Sequence, residues 1–485
     1  MPQLRTLLLG PPGCGKTTRL LKEVSRCLAT GVDPQRLAFV SFTKAAVTVA
    51  RDRALDQFNL IPDDLPYFRT LHSLCFKELR LKHADVFGNE SLTRLEDLTG
   101  ELLTGKQELD APTLGDRGDA LLFIDQYARN TLIKPEEAWH EHDSAPIDWF
   151  RYLRFAEAYQ GLRRDTGEMD FTDMLEQYKG GTDVDVAFID EAQDLTPLQW
   201  RVVDYAFSGA KELWVAGDDD QCLFKWAGAD LSGMLDFRGA VEVLEHSYRL
   251  PRAVYNLAQE VVQRIEHRHE KVWHPRDAEG RVEWVTRPEE IDLSHGSWLL
   301  LARTRRQLTV LERMARDQGV VYTVLGRSIV EGDHVRAILG WEQWRKGNAV
   351  SEGTVRVLWS AMGREGEVPV EEGRHYRAAD LQVDASVIWH DALAGIQLEV
   401  REFLVACLRR GESLTKPPRV NISTIHGAKG DEADSVVLLT DLNERVRRGM
   451  ELDPDAEHRV LYVGLTRARE TLYLVTPRGR FGYQL

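Results

Sequence analysis

Residues 10–17 of the chain read Gly-Pro-Pro-Gly-Cys-Gly-Lys-Thr, directly after the apolar run Leu7-Leu8-Leu9. The apolar run predicts a short buried strand, and the pattern after residue 17 predicts a helix that ends near Gly31. The spacing G-x-x-x-x-G-K-[ST] between a strand and a helix is typical of a phosphate-binding loop. Backbone N–H groups of such a loop curl around phosphate oxygens, and the helix N-terminus adds a positive dipole. This stretch therefore predicts a nucleotide site on an α/β fold.

Two side chains of the loop carry specific chemistry. Lys16 is expected to reach the β- and γ-phosphates, and the Thr17 hydroxyl to ligate Mg²⁺. Cys14 is interpreted as a small residue that the loop tolerates rather than as a redox-sensitive thiol. A nucleoside triphosphate and Mg²⁺ are the predicted ligands of the loop. The predicted nucleotide-binding residues of the loop are Gly10, Pro11, Pro12, Gly13, Cys14, Gly15, Lys16, Thr17 and Thr18.

An acidic partner for the loop follows a second apolar strand. Residues 184–189, Val-Asp-Val-Ala-Phe-Ile, lead into Asp190-Glu191, at the strand end where open α/β sheets place their ligands. Asp190 is predicted to bind the metal ion, and Glu191 to orient or deprotonate the attacking water. The alternative is an acidic helix cap, and the nearby phosphate-binding pattern favours the catalytic interpretation.

Further polar motifs lie downstream. A predicted strand at residues 213–216 ends in Gly-Asp-Asp-Asp-Gln at 217–221, and two later motifs contain Arg249 and Arg467. Hydrolysis spreads charge over the γ-phosphate oxygens, so an arginine from a second domain would couple hydrolysis to domain closure. On their own, two arginines are most often surface cations, and the surrounding motifs favour the catalytic role.

In their order along the chain, these motifs resemble those of superfamily 1 helicases of the UvrD/Rep type. The resemblance covers nearly the whole chain, and the ordered co-occurrence of the motifs is specific. The segments that carry it are residues 10–17, Phe42-Thr43-Lys44-Ala45-Ala46, Thr70-Leu71-His72-Ser73, and residues 170–175, 190–194, 217–229, 247–249, 301–304, 424–432 and 462–469.

The resemblance implies further nucleotide contacts. It implies that Tyr248 stacks on adenine, that Gln221 senses the γ-phosphate and that Glu432 contacts the nucleotide sugar. Arg249 and Arg467 match the paired arginine fingers of the family. These roles suit the residue types, since a tyrosine face fits a purine and an amide can read a phosphate oxygen.

The resemblance also implies a groove for single-stranded nucleic acid. Aromatic stacking tolerates any sequence because every base has a π-face. Each ring taken alone has a second interpretation, as part of the apolar core. The matching residues are Phe42, Phe224 and Trp226 for base stacking, and Thr43, Thr70 and His72 near the nucleic-acid backbone.

Composition limits where nucleic acid can bind. The 485 residues include 62 Lys and Arg against 77 Asp and Glu, a net charge of −15, so a polyanion must be held in a local groove. Five separated cysteines without a C-x-x-C pattern argue against a disulfide framework or a zinc or iron–sulfur cluster. The chain has neither an export-signal pattern nor about 18 consecutive apolar residues. We therefore predict a cytoplasmic protein without a membrane partner.

Motif order predicts an α/β fold with two RecA-like P-loop domains, each with a parallel sheet and each interrupted by an inserted, mainly helical subdomain. The second insertion contains acidic residues and tryptophans, which favour a small packed subdomain over a DNA-binding surface. The predicted division is 1–80 and 165–240 for the first domain, 81–164 for its insertion, 241–325 and 418–485 for the second domain, and 326–417 for its reduced insertion. The second domain resumes at residues 420–423, Val-Asn-Ile-Ser, which predict a new strand.

The resemblance implies an ATP- and Mg²⁺-dependent translocase on single-stranded DNA that acts as a 3′–5′ DNA helicase. Its expected partners are single-stranded DNA or a single-strand/duplex junction, with replication or repair proteins. Two alternatives stay open. One is a remodeller of RNA or RNA–DNA hybrids, and the other is an ATP-switched protein that binds a nucleic acid or a partner without unwinding.

Overall fold

The computed structural model describes residues 3–41, 44–104, 117–142 and 148–485. The chain divides into two compact units. The first comprises Met1–Gly280, Glu444–Thr466 and Leu485, and the second comprises Arg281–Asn443 and Arg467–Gln484. Among the helices in the described ranges, none combines the length and apolar character that crossing a bilayer requires.

Strands and helices alternate along much of the chain. The strands are β1 (Leu4–Leu9), β2 (Leu37–Ser41), β3 (Tyr67–Thr70), β4 (Val186–Asp190), β5 (Glu212–Gly217), β6 (Ala240–Val243), β7 (Arg281–Val285), β8 (Trp298–Ala302), β9 (Tyr322–Val324), β10 (Arg327–Ser328), β11 (Val350–Ser351), β12 (His375–Tyr376), β13 (Val420–Thr424), β14 (Ala433–Leu439) and β15 (Ala468–Val475). The α-helices are α1 (Lys16–Ala29), α2 (Lys44–Phe58), α3 (Leu71–Glu78), α4 (Asn89–Thr99), α5 (Arg117–Thr131), α6 (Pro135–Glu141), α7 (Trp149–Thr166), α8 (Phe171–Gln177), α9 (Pro197–Ala206), α10 (Ser232–Leu235), α11 (Arg252–Val262), α12 (Arg305–Asp317), α13 (Gly332–Arg345), α14 (Glu352–Ala361), α15 (Trp389–Ala392), α16 (Leu398–Arg409), α17 (Glu444–Leu452) and α18 (Pro454–Leu465).

The first unit is built on a six-stranded parallel sheet in the order β3-β2-β4-β5-β1-β6. Its central strands are apolar runs because helices cover both faces, so that residues such as Leu8, Phe39 and Phe188 are fully buried. Since β4, β5 and β1 are neighbours and parallel, their carboxyl ends lie side by side. This edge is where open α/β sheets bind their ligands.

The first unit extends beyond residue 240, where motif order places the start of the second domain. β6 pairs with β1 from Thr6↔Ala240 to Leu9↔Val243, and α11 packs against α18. These contacts bring residues 241–280 and 444–466 into the first unit. The compact units and the motif-based domains therefore divide the chain differently, and the motif-based division stays a prediction.

The segment predicted as the first insertion is helical and contains α4 to α7. Its buried side chains form an apolar cluster of their own, separate from those that cover the sheet. The cluster includes Leu95, Leu121, Ile124, Tyr152 and Phe155. The insertion thus has its own small core.

The second unit contains a seven-stranded sheet in the order β10-β9-β13-β8-β14-β15-β7. Its pairs are parallel except for the short edge hairpin of β9 and β10. The strand predicted to begin at Val420 is β13, which lies between β9 and β8. A largely helical insertion with α13 to α16 and the small β11–β12 sheet interrupts this unit. The predicted α/β class, with two parallel sheets and helical insertions, is confirmed.

Candidate functional site

The loop between β1 and α1 has the backbone of a phosphate-binding loop. Gly13 and Gly15 have φ angles of 71° and 80°, in the left-handed region that glycine adopts at little cost. A Cβ at Gly13 would lie 2.3 Å from the Cβ of Arg249. Conformation and close packing therefore both require glycine at position 13.

Three polar side chains meet where β1 and β4 end. The Thr17 hydroxyl donates a hydrogen bond to Asp190 Oδ2 at 2.7 Å, and Lys16 Nζ donates to the carbonyl oxygen of Gly10 at 2.9 Å. The sequence predicted that the loop and the first acidic motif converge, and the structure places them in direct contact.

The site holds both signs of charge close together. Burial lowers the pKa of Lys16, but the nearby carboxylates of Glu191, Asp218 and Asp190 outweigh this effect and raise it above its usual value. Burial and repulsion from Glu191 raise the pKa of Asp190 to about 6, against the hydrogen bond from Thr17. A hydroxyl and a carboxylate oxygen are donors that Mg²⁺ accepts. The donor set of Thr17 and Asp190 therefore fits the expected cation.

Two glutamines connect Glu191 to the end of β5. Glu191 itself has a left-handed backbone, with φ 56° and ψ 42°, and its N–H donates to Asp190 Oδ1 at 3.0 Å. Gln193 donates from Nε2 to Glu191 Oε2 at 2.5 Å and accepts at Oε1 from the Asp218 N–H at 3.1 Å. Gln221 donates from Nε2 to Asp218 Oδ2 at 2.7 Å. A polar chain thus runs from the predicted base to the predicted γ-phosphate sensor.

Sequence reasoning missed the connecting roles of Gln193 and Asp218. Both lie inside motifs that carried the family resemblance, so their position was the available signal. Gln193 is fully buried and Asp218 is as well. Buried polar groups need partners, and a pair of them within two motifs could have suggested a shared network.

Three consecutive buried aspartates share one cation. Lys271 Nζ lies 2.9 Å from Asp218 Oδ1 and 2.8 Å from Asp220 Oδ2, and it also contacts Asp219. Arg268 adds a bidentate pair to Asp220, at 2.7 and 2.8 Å. The spacing of the three carboxylates could suit a metal ion, but the Lys271 ammonium binds all three. We therefore assign no metal to this cluster.

The segment after β6 packs against the phosphate-binding loop. The Tyr248 N–H donates to the carbonyl oxygen of Gly13 at 2.9 Å. The Tyr248 side chain is 73% exposed, and its ring meets the ring of His246 edge-on at 4.9 Å. Arg249 is half-buried and donates to the carbonyl oxygen of Thr466 at 3.4 Å. Two of the predicted nucleotide residues thus lie beside the loop.

Glu432 and Arg467 belong to the second unit. Arg467 is 2% exposed, and its guanidinium donates to the carbonyl oxygen of Asp431 at 3.4 Å. Glu432 forms an ion pair with Arg469. The roles that the family resemblance gives these two residues at the nucleotide stay predictions.

Cys14 lies within the loop and is buried. Burial raises the pKa of its thiol to about 11, so the thiol is protonated at neutral pH. A protonated, buried thiol reacts slowly with oxidants. The environment of Cys14 therefore favours its interpretation as a small loop residue.

Four of the six predicted nucleic-acid residues lie in the described part of the chain, and Phe42 and Thr43 lie outside it. Thr70 caps α3 by accepting a hydrogen bond from the Ser73 N–H at 3.3 Å. Burial lowers the pKa of His72 to about 4, so its imidazole is neutral at physiological pH. The His72 ring meets the exposed ring of Phe171 edge-on at 5.7 Å.

Phe224 and Trp226 follow the Gly-Asp-Asp-Asp-Gln motif at residues 217–221, and both are half-buried. The Trp226 ring stacks on Phe123 of α5, with centroids 6.1 Å apart and an angle of 22°. Phe123 also contacts Tyr127 and His142, which meet each other at 4.4 Å. One face of Trp226 is therefore covered by an aromatic cluster of the first insertion. Sequence reasoning missed this cluster because Phe123 lies far from every recognised motif.

Comparison with known proteins agrees with the family resemblance of the sequence motifs. Two family models match, UvrD/REP helicase N-terminal domain over residues 2–242 and UvrD-like helicase C-terminal domain over residues 398–478. ATP-dependent DNA helicase UvrD2 of Mycobacterium tuberculosis is 26% identical over 536 residues, covering 98% of this chain and 76% of the relative. ATP-dependent DNA helicase PcrA of Staphylococcus epidermidis is 25% identical over 365 residues, covering 66% of this chain and 49% of the relative. With both family models and the ordered motifs in agreement, this chain belongs to the UvrD/Rep family of superfamily 1 helicases.

Proposed function

We propose that this protein is an ATP- and Mg²⁺-dependent translocase on single-stranded DNA that moves 3′ to 5′ and separates duplex DNA. As a member of its family it is an ATP-hydrolysing helicase. The proposal adds the cation, the direction and the single-stranded track. It also retains replication or repair proteins as partners and a cytoplasmic location.

The observation that carries the proposal is the meeting of Lys16, Thr17, Asp190 and Glu191 at the ends of β1 and β4. Lys16 would stabilise charge on the β- and γ-phosphate oxygens. Thr17 and Asp190 would hold Mg²⁺, which neutralises phosphate charge when bound. Glu191 would orient the attacking water and accept its proton.

The remaining nucleotide contacts follow from the surfaces around the loop. The exposed ring of Tyr248 is available for stacking on a purine, and Gln221 would read the γ-phosphate. Arg249 and Arg467 would supply positive charge to the transition state, and Glu432 would contact the sugar. These assignments come from the family resemblance.

For the nucleic acid, we propose a track that includes Phe224 and Trp226, together with Thr70 and His72. Because the chain carries a net charge of −15, affinity must come from stacking and a few local contacts rather than from overall attraction. The neutral imidazole of His72 and the hydroxyl of Thr70 suit hydrogen bonding near a sugar–phosphate backbone.

Two substitutions test the chemistry. Lys16→Ala should abolish nucleotide binding or turnover, and Glu191→Gln should retain ATP binding while turnover falls by roughly 100-fold or more. Lys22→Ala is a matched control, because Lys22 is an exposed lysine on the same helix, α1. ATPase rates and nucleotide affinity would be measured with and without EDTA. Near-normal turnover in Glu191→Gln would contradict the assignment of the base.

A second experiment tests the track and the direction. ATPase rates should rise with single-stranded DNA, and duplexes with 3′ tails should be unwound in preference to those with 5′ tails. Greater stimulation by single-stranded RNA would favour the remodeller of RNA or hybrids. Stimulation only by a protein partner, without strand separation, would favour the ATP-switched binding protein.

A further inference from the structure

We propose that Lys271 is a positioning residue for ATP hydrolysis, which holds Asp218 so that Asp218 orients the amides of Gln193 and Gln221. The inference rests on the proposed roles of Glu191 and Gln221. The contacts of Lys271 described above are with Asp218, Asp219 and Asp220, and not with Glu191 or Gln221. It lies nine residues after α11, and 1% of its side chain is exposed.

Asp218 forms hydrogen bonds with the side-chain amides of both Gln193 and Gln221. Its Oδ1 pairs with Lys271 at 2.9 Å, and its Oδ2 accepts from Gln221 Nε2 at 2.7 Å. Its backbone N–H donates to Gln193 Oε1 at 3.1 Å. Every one of these contacts depends on the position of a single residue at the end of β5.

Each amide has a donor end and an acceptor end, and the Asp218 atom that it contacts determines which end faces Asp218. An ionised carboxylate only accepts, so Gln221 must turn its NH₂ group toward Asp218. The Asp218 N–H only donates, so Gln193 must turn its oxygen toward it. The NH₂ group of Gln193 is then directed to Glu191 Oε2. Both amides are thereby fixed relative to the proposed base.

Lys271 keeps Asp218 in the ionised state on which this arrangement depends. Burial raises the pKa of Asp218, but the ammonium groups of Lys271 and Lys16 outweigh burial and hold it below its usual range. Without Lys271, the three adjacent buried carboxylates would keep Arg268, which pairs with Asp220, and the charge of Lys16 near Asp218. Such a cluster takes up protons, because buried like charges cannot all remain ionised. A protonated Asp218 could donate, and the Gln221 amide could then reverse.

The segment that carries Lys271 is held by α18. Asp455 accepts hydrogen bonds from the N–H groups of Glu266 at 2.9 Å and His267 at 3.0 Å. Arg459 is 2% exposed and donates to the carbonyl oxygens of Asp219 at 2.9 Å and His267 at 2.5 Å. The same helix therefore fixes both the cation and the aspartates that it binds.

The test compares Lys271→Met with Arg268→Met in the full chain. Methionine keeps much of the lysine volume and removes its charge. Arg268→Met removes a neighbouring cation, half-buried, that pairs with Asp220. In DNA-stimulated hydrolysis, Lys271→Met should lower kcat by roughly 10-fold to 100-fold with KM for ATP changed by less than about threefold. Arg268→Met should lower thermal stability but keep kcat within about threefold of the unmodified protein.

A kcat in Lys271→Met equal to that of the unmodified protein, once corrected for the folded fraction, would overturn the inference. An equal loss in Arg268→Met would overturn it as well, because the effect would then be one of general stability. If Lys271→Met does not fold, the double variant Lys271→Met/Asp219→Asn reduces the buried charge while keeping Asp218 with both glutamines. A low kcat in that folded variant supports the inference, and a normal kcat shows that Lys271 only balances charge.

Glu191→Gln and Gln221→Ala belong in the same assay. If both retain normal kcat, the proposed roles at the nucleotide are wrong, and the basis of the inference is lost with them. If both lose kcat while Lys271→Met does not, the proposed function stands and the role of Lys271 is wrong. The two failures are therefore distinguishable.

Discussion

At α8 the first insertion joins the rest of its unit through charged side chains, whereas the second insertion shares an apolar core with its sheet. Arg129 of α5 lies 2.7 Å from Asp170, 2.6 Å from Asp173 and 2.7 Å from Glu176, at the start and along α8. Arg163 of α7 adds pairs to the same two aspartates. The apolar side chains of this insertion cluster among themselves.

In the second insertion, Trp341, Trp344 and Trp389 belong to the same buried cluster as strands β8 and β13. These three tryptophans therefore pack in the core of the second unit. Apolar burial is non-directional, whereas ion pairs depend on geometry and on ionisation. The comparison indicates that the second sheet cannot lose its insertion without losing its core. The first insertion could shift while its own apolar core and the core around the first sheet both stay buried.

The largest expected effect is on the shared core. Trp344 is 3% exposed and donates from Nε1 to the carbonyl oxygen of Tyr376 at 2.9 Å. Trp344→Ala should cost about 3–5 kcal/mol of folding free energy, because it removes a large buried ring and a hydrogen bond. Hydrogen exchange should show lost protection in β8 and β13 together with the insertion.

The matched variant is Tyr152→Ala, which removes a ring that is 1% exposed in the core of the first insertion. We expect a similar local loss, with protection of β1 and β4 unchanged. If exchange in those strands rose equally, the contrast between the two insertions would be wrong. Retained protection of β13 in Trp344→Ala would contradict the claim that the second insertion and its sheet share one core.

A smaller effect tests the charged junction through its pH dependence. Asp125 of α5 lies 3.6 Å from Arg129, and burial raises its pKa to about 6 even though Arg129 and Arg163 oppose the shift. The folded chain therefore binds this proton more tightly than the unfolded chain. Protonated Asp125 therefore contributes to the free energy of unfolding. This contribution is largest below about pH 4 and is lost as the pH rises through about 6.

Asp125→Asn removes this titration. The free energy of unfolding of the variant, relative to the unmodified protein, should therefore rise between pH 4 and pH 7, by up to about 3 kcal/mol. The pairing with Arg129 already contributes to the pKa of Asp125, so losing it in the variant does not change the sign of this slope. Denaturant unfolding at several pH values measures it. A difference that stayed constant across this range would show that Asp125 does not hold its proton at the junction.

The parts that sequence reasoning predicted are those that local patterns determine. Strands β1, β4, β5 and β13 were found within about two residues of their bounds, because strands buried on both faces are apolar runs. The phosphate-binding loop was found because its glycines adopt backbone conformations that few other residues allow. Both signals lie within a few consecutive residues.

The parts that were missed depend on distant residues. Lys271 follows a run of charged and polar residues, 266–270, which is typical of a surface segment, yet the aspartates that bury it lie about 50 residues earlier. β6 was not recognised as part of the first sheet, because it is a short edge strand with Val241 51% exposed. Such contacts are set by packing, and no local pattern encodes them.

The smallest expected effect concerns the contact between the first insertion and the predicted DNA track. Trp226 stacks on Phe123, so the junction that is charged at α8 is aromatic here. If the ring also stacks on bases, Trp226→Ala should weaken single-strand binding by about 1–3 kcal/mol and reduce DNA-stimulated ATPase. The basal rate should stay nearly unchanged, because the ring lies outside the hydrolytic contacts around Glu191.

The control is Trp359→Ala in the second insertion, where Arg364 lies over a half-buried ring at 4.6 Å. This variant should affect stability and leave the DNA response unchanged. Equal losses of basal and stimulated ATPase in Trp226→Ala would mean that its ring only packs against Phe123. Loss of DNA binding in Trp359→Ala would place a contact surface on the second insertion. The comparison would then reverse, because the insertion that shares its core with the sheet would also be the one that meets DNA.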